Sequence, residues 1–240
     1  MPKKILSIVI PMFNEAKTIG DVLRRLFALS ISGYEIEIIV VDDGSTDDTK
    51  KILVPYLNKI KYLEHTKNLG KGSALRTAFA NLHAQSELTI VQDADLEYSP
   101  EEISTLVSCI DGAHLYSAVY GSRNISRTAC LRRRARGYSH YVLGAWLLTS
   151  ITNLFFHSKL TDSYTCYKLI RTPLLKSLNL QSSGFEIEME ITAKLLKSGT
   201  KIAEVPISYH PRSFKEGKKI RARDALKGFI TLIVIVLGRK

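Results

Sequence analysis

The regular alternation of short apolar runs with helical patterns through the first 120 residues is what most limits the folds open to this chain. Residues 5–10, 36–41, 60–63, 88–91 and 118–120 read as buried strands, and residues 16–29, 46–57, 73–82 and 100–110 as the helices between them. Such a succession, joined by right-handed crossovers, predicts a largely parallel sheet flanked by helices, the α/β class. Ligands bind such sheets at the carboxyl ends of the strands. The polar motifs of this sequence fall at those ends.

A chain of 240 residues with 45% hydrophobic content suits one large α/β domain, or one domain with an appendage. No internal repeat or low-complexity segment interrupts the alternation. The three cysteines, Cys109, Cys130 and Cys166, are odd in number and lack C-x-x-C spacing. That argues against a disulfide framework or a zinc site and suits a reducing compartment. The apolar run after Lys4 is too short for the core of a signal peptide, so no export signal is visible. The net charge of +11 is polarised: residues 1–120 hold 12 Lys and Arg against 16 Asp and Glu, and residues 121–240 hold 22 against 7. A basic carboxyl half suits phosphorylated substrates or an anionic membrane surface, or is simply a solvated basic face. Nucleic acid ranks below these, because no DNA- or RNA-binding motif accompanies the charge.

After Arg123 the rhythm changes. A basic segment (Arg127, Arg132, Arg133, Arg134, Arg136) leads into the apolar residues 138–160, which are expected to form a long helix. Thr149, Thr152 and Asn153 inside it, with His140 and His157 at its flanks, favour a helix lying on a membrane over a span; burial against the sheet is the ordinary alternative. Residues 225–237 are also too short to cross a bilayer comfortably, and read as an interfacial anchor or a truncated tail. Glu186, Glu188 and Glu190 have the spacing of one strand face, although Ile187, Met189, Ile191 and Leu195 equally permit a helix; a solvated face is expected for these glutamates.

Asp93-Ala94-Asp95 sets two carboxylates two residues apart where the 88–91 run ends. Both can converge on one hard cation, magnesium or manganese, and through it on a diphosphate; the ordinary alternative is a pair of solvated turn aspartates. Pro11-Met12-Phe13-Asn14-Glu15 and Val41-Asp42-Asp43-Gly44-Ser45-Thr46-Asp47 close the first two strands. Acidic groups there can accept hydrogen bonds from a ribose diol or a base edge, or merely cap the following helix. Asn68-Leu69-Gly70-Lys71-Gly72 frames a lysine with glycines ahead of a helix, which brings a cation and backbone near a nucleotide without being a Walker A sequence.

Taken in order, PMFNE, VDDGSTD, NLGKG and QDADLE resemble the family-2 glycosyltransferases of the GT-A fold. Downstream, GSR at 121–123, LTDSYTCYKLIR at 160–171, GFEIEMEITAKLLKSG at 184–199 and EVPISYHPRSFKEGKKI at 204–220 are similar to the branch containing dolichol-phosphate mannose synthase and bacterial polyprenyl-phosphate glycosyltransferases. The resemblance, covering residues 5–227, implies a Rossmann-like, mostly parallel sheet flanked by helices, with a basic amphipathic or hydrophobic carboxyl-terminal appendage. It divides the chain into a catalytic domain, 1–211, and a basic lid with a short apolar tail, 212–240. The nucleotide-binding part is expected at 1–123 and the acceptor part at 124–211.

The resemblance also implies an inverting, metal-dependent transfer of a sugar from a GDP- or UDP-sugar to a polyprenyl phosphate, dolichyl or undecaprenyl. By position, Pro11, Asn14, Glu15, Asp42, Asp43, Lys71 and Asp93 hold the nucleotide sugar, with Asp42 the partner of the base. Asp95 is the metal ligand, supported by Asp93, and Glu97, which stands where many dolichol-phosphate mannose synthases carry glutamine, is the third candidate for the metal shell. Arg123 and Arg212 clamp phosphates, since a planar guanidinium matches phosphate oxygens. Lys218 and Lys219, as phosphate-binding residues, and Arg221 extend a basic segment, 212–227, that closes over the donor diphosphate and acceptor phosphate as a lid or else faces anionic lipid headgroups. Asp162 is the catalytic base or the carboxylate that orients the acceptor, the glutamate triplet falls on a helix, and His210 is structural or solvent-facing. The expected partners are the donor, the lipid phosphate and a membrane surface, with a separate membrane subunit as one explanation for the absence of transmembrane pairs. The expected location is cytoplasmic, peripheral on the cytoplasmic face of a membrane. Competing expectations are a transferase that elongates a saccharide or glycolipid, and a nucleotidyltransferase. The latter is disfavoured because no glycine-rich, lysine-containing loop directly follows the first strand.

Overall fold

Every residue of β1 (Lys4–Met12) from Leu6 onward is buried, because both faces of the strand are covered. Leu6, Ile8 and Ile10 pack with Ile19, Val22 and Leu23 of α1 (Ile19–Phe27) and with Ile103, Leu106 and Ile110 of α4 (Ile103–Gly112). Val9 joins the other layer, where Ile39 and Val41 of β2 (Tyr34–Asp42) meet Ala74, Leu75 and Ala78 of α3 (Lys71–Ala80) and Ile187 and Ile191 of α7 (Ile187–Lys197). The alternation of side chains along a strand thus feeds two cores, one on each side of the sheet.

The computed structural model describes residues 3–112, 116–125, 139–212, 219 and 221–238. The remaining strands are β3 (Lys61–Glu64), β4 (Ser86–Val91), β5 (Ala118–Ser122), β6 (Lys168–Arg171) and β7 (Ile202–Pro206), and the sheet order is β3-β2-β1-β4-β6-β5-β7. All pairings are parallel except those of β6, which runs antiparallel between β4 and β5. The five expected strands are present. β6 and β7 were not anticipated, since Lys168 and Arg171 bound one and Glu204 interrupts the other, which hides their apolar residues in motifs that read as polar. The remaining helices are α2 (Thr49–Leu53), α5 (Ser139–Phe156), α6 (Thr172–Ser177) and α8 (Ala222–Val236). The second expected helix is short because the chain tightens into a 3₁₀ turn, Val54–Tyr56, at Pro55.

The long apolar helix and the apolar tail share one fate. Leu148 of α5, Met189 and Ala193 of α7, and Leu232 and Ile235 of α8 form a third small core, so 225–237 is half core helix and not a free tail. Their opposite sides leave Leu143, Trp146, Leu147, Leu226, Phe229 and Ile230 exposed. Cys109 and Cys166 are free thiols, while Cys130, the basic residues between Arg127 and Arg136, and Lys218 lie outside the described residues. Ile8→Ala, at a fully buried site in β1, is expected to cost about 2–5 kcal/mol. Leu154→Ala, 72% exposed on α5, is expected to stay within about 0.5 kcal/mol. Urea denaturation measures both.

Candidate active site

Strand order reverses at β1: β2 and β3 lie on one side of it and β4 on the other, all parallel. Loops leaving the carboxyl ends of β1 and β4 therefore diverge and leave a crevice. A cleft of about 730 Å³ opens there, walled by Pro11, Phe13, Glu15, Asp43, Lys71, Asp93, Asp95 and Glu97. Gly144, Ala145 and Leu148 of α5, Phe185, and Ala225 of α8 make an apolar side to the same cleft, and Arg123, Tyr209, Arg212, Lys219 and Arg221 complete it.

The loops after β1 and β2 are clipped together before they can hold anything else. Asn14, at φ 53°, takes the left-handed conformation that asparagine tolerates. Its backbone N–H donates to Ser45 Oγ at 2.9 Å, and its Oδ1 accepts from the Thr46 N–H at 2.8 Å. Asp42 is fully buried, accepting from the Ser45 N–H at 2.8 Å and the Tyr62 hydroxyl at 3.3 Å. Asn14 and Asp42, both expected to hold the nucleotide, shape the loop beside the cleft, and its wall as it stands includes neither side chain. Asp43 is on the wall and fixes the glycine-framed turn: its carboxylate accepts from the Leu69 and Gly70 N–H groups at 2.9 and 2.8 Å and contacts His65 Nδ1 at 2.7 Å. Gly70 sits at φ 96°, and a Cβ there would come 2.4 Å from the Ser183 carbonyl oxygen, so only glycine fits.

β4 ends at Val91, so Asp93, Asp95 and Glu97 ride on the loop beyond it. Asp93 accepts from Lys71 Nζ at 2.7 Å. Asp95 accepts from the Glu97 N–H at 3.0 Å and from Arg212 Nη2 at 3.2 Å. Burial, then the neighbouring charges of Asp93 and Glu97, push the Asp95 carboxyl up to about 7, with Arg212 opposing. Glu97 is on the cleft wall with Asp93 and Asp95. Its two oxygens are occupied by the Tyr209 hydroxyl at 2.5 Å and the Arg212 N–H at 2.7 Å, so it anchors the chain after β7. Among the described residues no group of three or more His, Cys, Asp or Glu side chains converges as a ready cage for an ion.

Glu15 is the hub of the basic side. Arg212 grips it bidentately at 2.9 and 2.9 Å, and Lys219 reaches it at 2.5 Å. Burial opposes its ionisation, but Arg212 and Lys219 hold the carboxyl below the usual range. Asp162 lies behind the wall. It is fully buried, is not on the cleft wall, and binds Arg123 bidentately at 2.7 and 2.8 Å. Arg123 in turn lies 5.1 Å from the ring centroid of Tyr209. The arginine faces the cleft; the aspartate acts through it.

Sequence reasoning missed a buried ionic cluster behind this wall. Glu188 and Glu190, expected on a solvated face, are 1% and 3% exposed. Glu190 accepts from the Gln181 and Ser182 N–H groups at 2.9 and 2.8 Å and pairs with Lys194. Glu188 lies between Lys168, at 2.6 Å, and Lys71, at 3.1 Å. Burial works against its charge, yet the two lysines hold its carboxyl down to about 2. One signal existed, the i,i+4 spacing of Glu190 and Lys194 on the helix; nothing local pairs Glu188 with its lysines.

The fold is similar to that of glucosyl-3-phosphoglycerate synthase from Mycobacterium tuberculosis, solved with Mn2+, uridine diphosphate and glucosyl-3-phosphoglycerate. The TM-score is 0.73 over 97% of this chain and 80% of that one, at 19% identity. An uncharacterized protein of Methanocaldococcus jannaschii is 30% identical over 225 residues, 88% of this chain and 93% of its own length. The dodecaprenyl-phosphate galacturonate synthase of Rhizobium johnstonii is 27% identical over 213 residues, 86% of this chain and 59% of its length. The undecaprenyl-phosphate 4-deoxy-4-formamido-L-arabinose transferase of Edwardsiella ictaluri is 34% identical over 137 residues, 55% of this chain and 41% of its length. This chain thus spans about half the length of the two relatives that have named activities. The mixed sheet with helices on both faces is of the GT-A type. The family model for glycosyl transferase family 2 matches residues 7–178, and the chain belongs to that family of glycosyltransferases.

Proposed function

We propose that the protein transfers a sugar, with inversion, from a nucleotide-diphosphate sugar to a polyprenyl phosphate, using magnesium or manganese held at Asp93 and Asp95. The observation that carries this reading is the composition of one cleft: acidic strand ends and basic side chains on one side, apolar helices on the other. A diphosphate and an acceptor phosphate suit the first, and an isoprenoid chain suits the second. Two relatives named for polyprenyl-phosphate substrates support the acceptor, and the Mn2+ and uridine diphosphate of the mycobacterial structure support the metal and donor classes.

Asp93 and Asp95 fit a divalent ion. They offer hard oxygen donors on the cleft wall, and their charges, with that of Glu97, disfavour one another in a way that a divalent ion would relieve. When bound, the ion neutralises charge on the departing nucleoside diphosphate. Arg212, which spans Glu15 and Asp95, lies where it can turn from these carboxylates to the donor phosphates. Arg123, set by Asp162 and Tyr209, presents its guanidinium to the acceptor phosphate. A lipid phosphate is already an anion at neutral pH, so alignment matters more than proton removal. The bidentate ion pair of Asp162 suits a positioning role and counts against the base that a saccharide hydroxyl would need.

A cytoplasmic, peripheral membrane location belongs to the same proposal. No helix among the described residues is long and apolar enough to cross a membrane. The exposed Leu143, Trp146 and Leu147 of α5 and Leu226, Phe229 and Ile230 of α8 support contact with the bilayer interface.

A screen of nucleotide sugars with a short-chain polyprenyl phosphate and Mg2+ or Mn2+ is expected to yield a lipid-phosphate sugar with one donor. Glycosylation of a saccharide acceptor alone would replace this reading with that of a chain-elongating transferase. Asp95→Asn is expected to lower kcat by about a hundredfold or more, and EDTA to stop turnover until Mn2+ is restored; near-normal turnover of the variant removes the metal assignment. Trp146→Glu combined with Phe229→Glu is expected to abolish co-sedimentation with anionic vesicles while the thermal melt stays cooperative. Undiminished binding would refute the interfacial role.

A further inference from the structure

Lys71 is the cation at the floor of the cleft, and among the described residues two carboxylates form ion pairs with its ammonium: Asp93 at 2.7 Å and Glu188 at 3.1 Å. The two are not equivalent. Asp93 sits on the loop after β4 and, under the functional reading above, on which this inference rests, it is claimed by a divalent cation. A carboxylate that turns to a metal holds a lysine less well, and the doubly charged ion repels the nearby ammonium. Lys71 then needs a second anchor that the metal does not take.

Glu188 has the properties of that anchor. It comes from α7, across the cleft floor from the β4 loop, and is 1% exposed. Its Oε2 accepts from Lys168 Nζ at 2.6 Å. Lys168 is itself held by the Thr165 carbonyl and lies 5.1 Å from the ring centroid of Tyr120, so the pair cannot swing. The other oxygen, Oε1, is buried with no hydrogen bond among the described residues and forms the ion pair with Lys71. Glu188 and Lys71 both line the cleft, whereas Lys168 does not. Three elements thus converge on one ammonium: α3 supplies the lysine, the β4 loop an exchangeable carboxylate, and α7 a fixed one.

We propose that Glu188 is the positioning residue that keeps the Lys71 ammonium in the cleft when Asp93 binds a divalent cation, so that Lys71 meets the diphosphate of the donor. Charge balance for Lys168 is then its secondary task. In this arrangement Asp93 and Glu188 share the lysine in the empty cleft, and Glu188 alone retains it in the loaded one.

The test measures binding of UDP and of GDP in the presence of Mn2+, by calorimetry, on the full chain. Because Glu188→Gln leaves Lys168 unpaired, the informative variant is Glu188→Gln with Lys168→Met, compared with Lys168→Met alone and checked for a cooperative melt. Affinity for the nucleoside diphosphate is expected to fall about tenfold or more relative to Lys168→Met. Glu188→Asp, which keeps the charge, is expected to recover part of it. In a background that carries both Lys71→Met and Lys168→Met the Glu188→Gln substitution is expected to have no further effect, since its action passes through Lys71. An affinity within twofold of the Lys168→Met control, or an undiminished loss in the background that carries both lysine substitutions, overturns the inference while leaving the functional reading intact. Failure of the unsubstituted protein to bind either nucleotide overturns both.

Discussion

A strand buried on both faces and paired in parallel on both edges is the constraint on which the rest of this molecule depends. β1 has β2 on one edge and β4 on the other, in a register that runs from Lys4 to Met12 on one side and from Ile5 to Val9 on the other. A slip of one residue would exchange the two cores, since Ile8 serves one layer and Val9 the other. That register fixes where the strands end. Because strand order reverses at β1, those ends open the crevice that the functional side chains fill.

Charge explains how the second half of the chain completes the crevice begun by the first. The strand-end loops of the amino-terminal half concentrate Glu15, Asp43, Asp93, Asp95 and Glu97 in one buried region, which is unfavourable without counter-charge. Arg212 and Lys219 bring it from about 200 positions away in sequence. Glu97 helps to deliver them, holding the Arg212 backbone and the Tyr209 hydroxyl, and Asp162 aims Arg123 from behind. The uneven charge of the two halves is in this sense one electrostatic unit split along the chain. The cations that balance the carboxylates in this arrangement are the ones suited to phosphates when a donor arrives.

Much of this was legible beforehand, and the exceptions share a cause. Apolar runs of strand length located β1 to β5, and the order of acidic loops located the cleft. Residue types alone could not tell a side chain that faces the cleft from one that supports it. The oxygens of Asn14, Asp42 and Asp162 accept from the Thr46 and Ser45 amides and from Arg123, partners that residue types do not announce. Glu188 looked like a surface glutamate because its partners, Lys71 and Lys168, come from segments more than 100 and about 20 positions away, respectively. β6 and β7 escaped notice because Lys168 and Arg171 at the ends of one and Glu204 in the middle of the other broke the apolar pattern.

The sequence by itself determined the class of sheet, the place of the acidic and glycine-framed loops, and the family, because these depend on local periodicity and on motifs of a few residues. Tertiary structure decided which carboxylate meets which cation. It paired Glu97 with the Tyr209 hydroxyl and the Arg212 backbone, Asp162 with Arg123, and Glu188 with Lys71 and Lys168. The physical reason is that a buried charge is defined by its partner, and here the partners are brought together only when β4, α7 and the segment after β7 close around the end of β1.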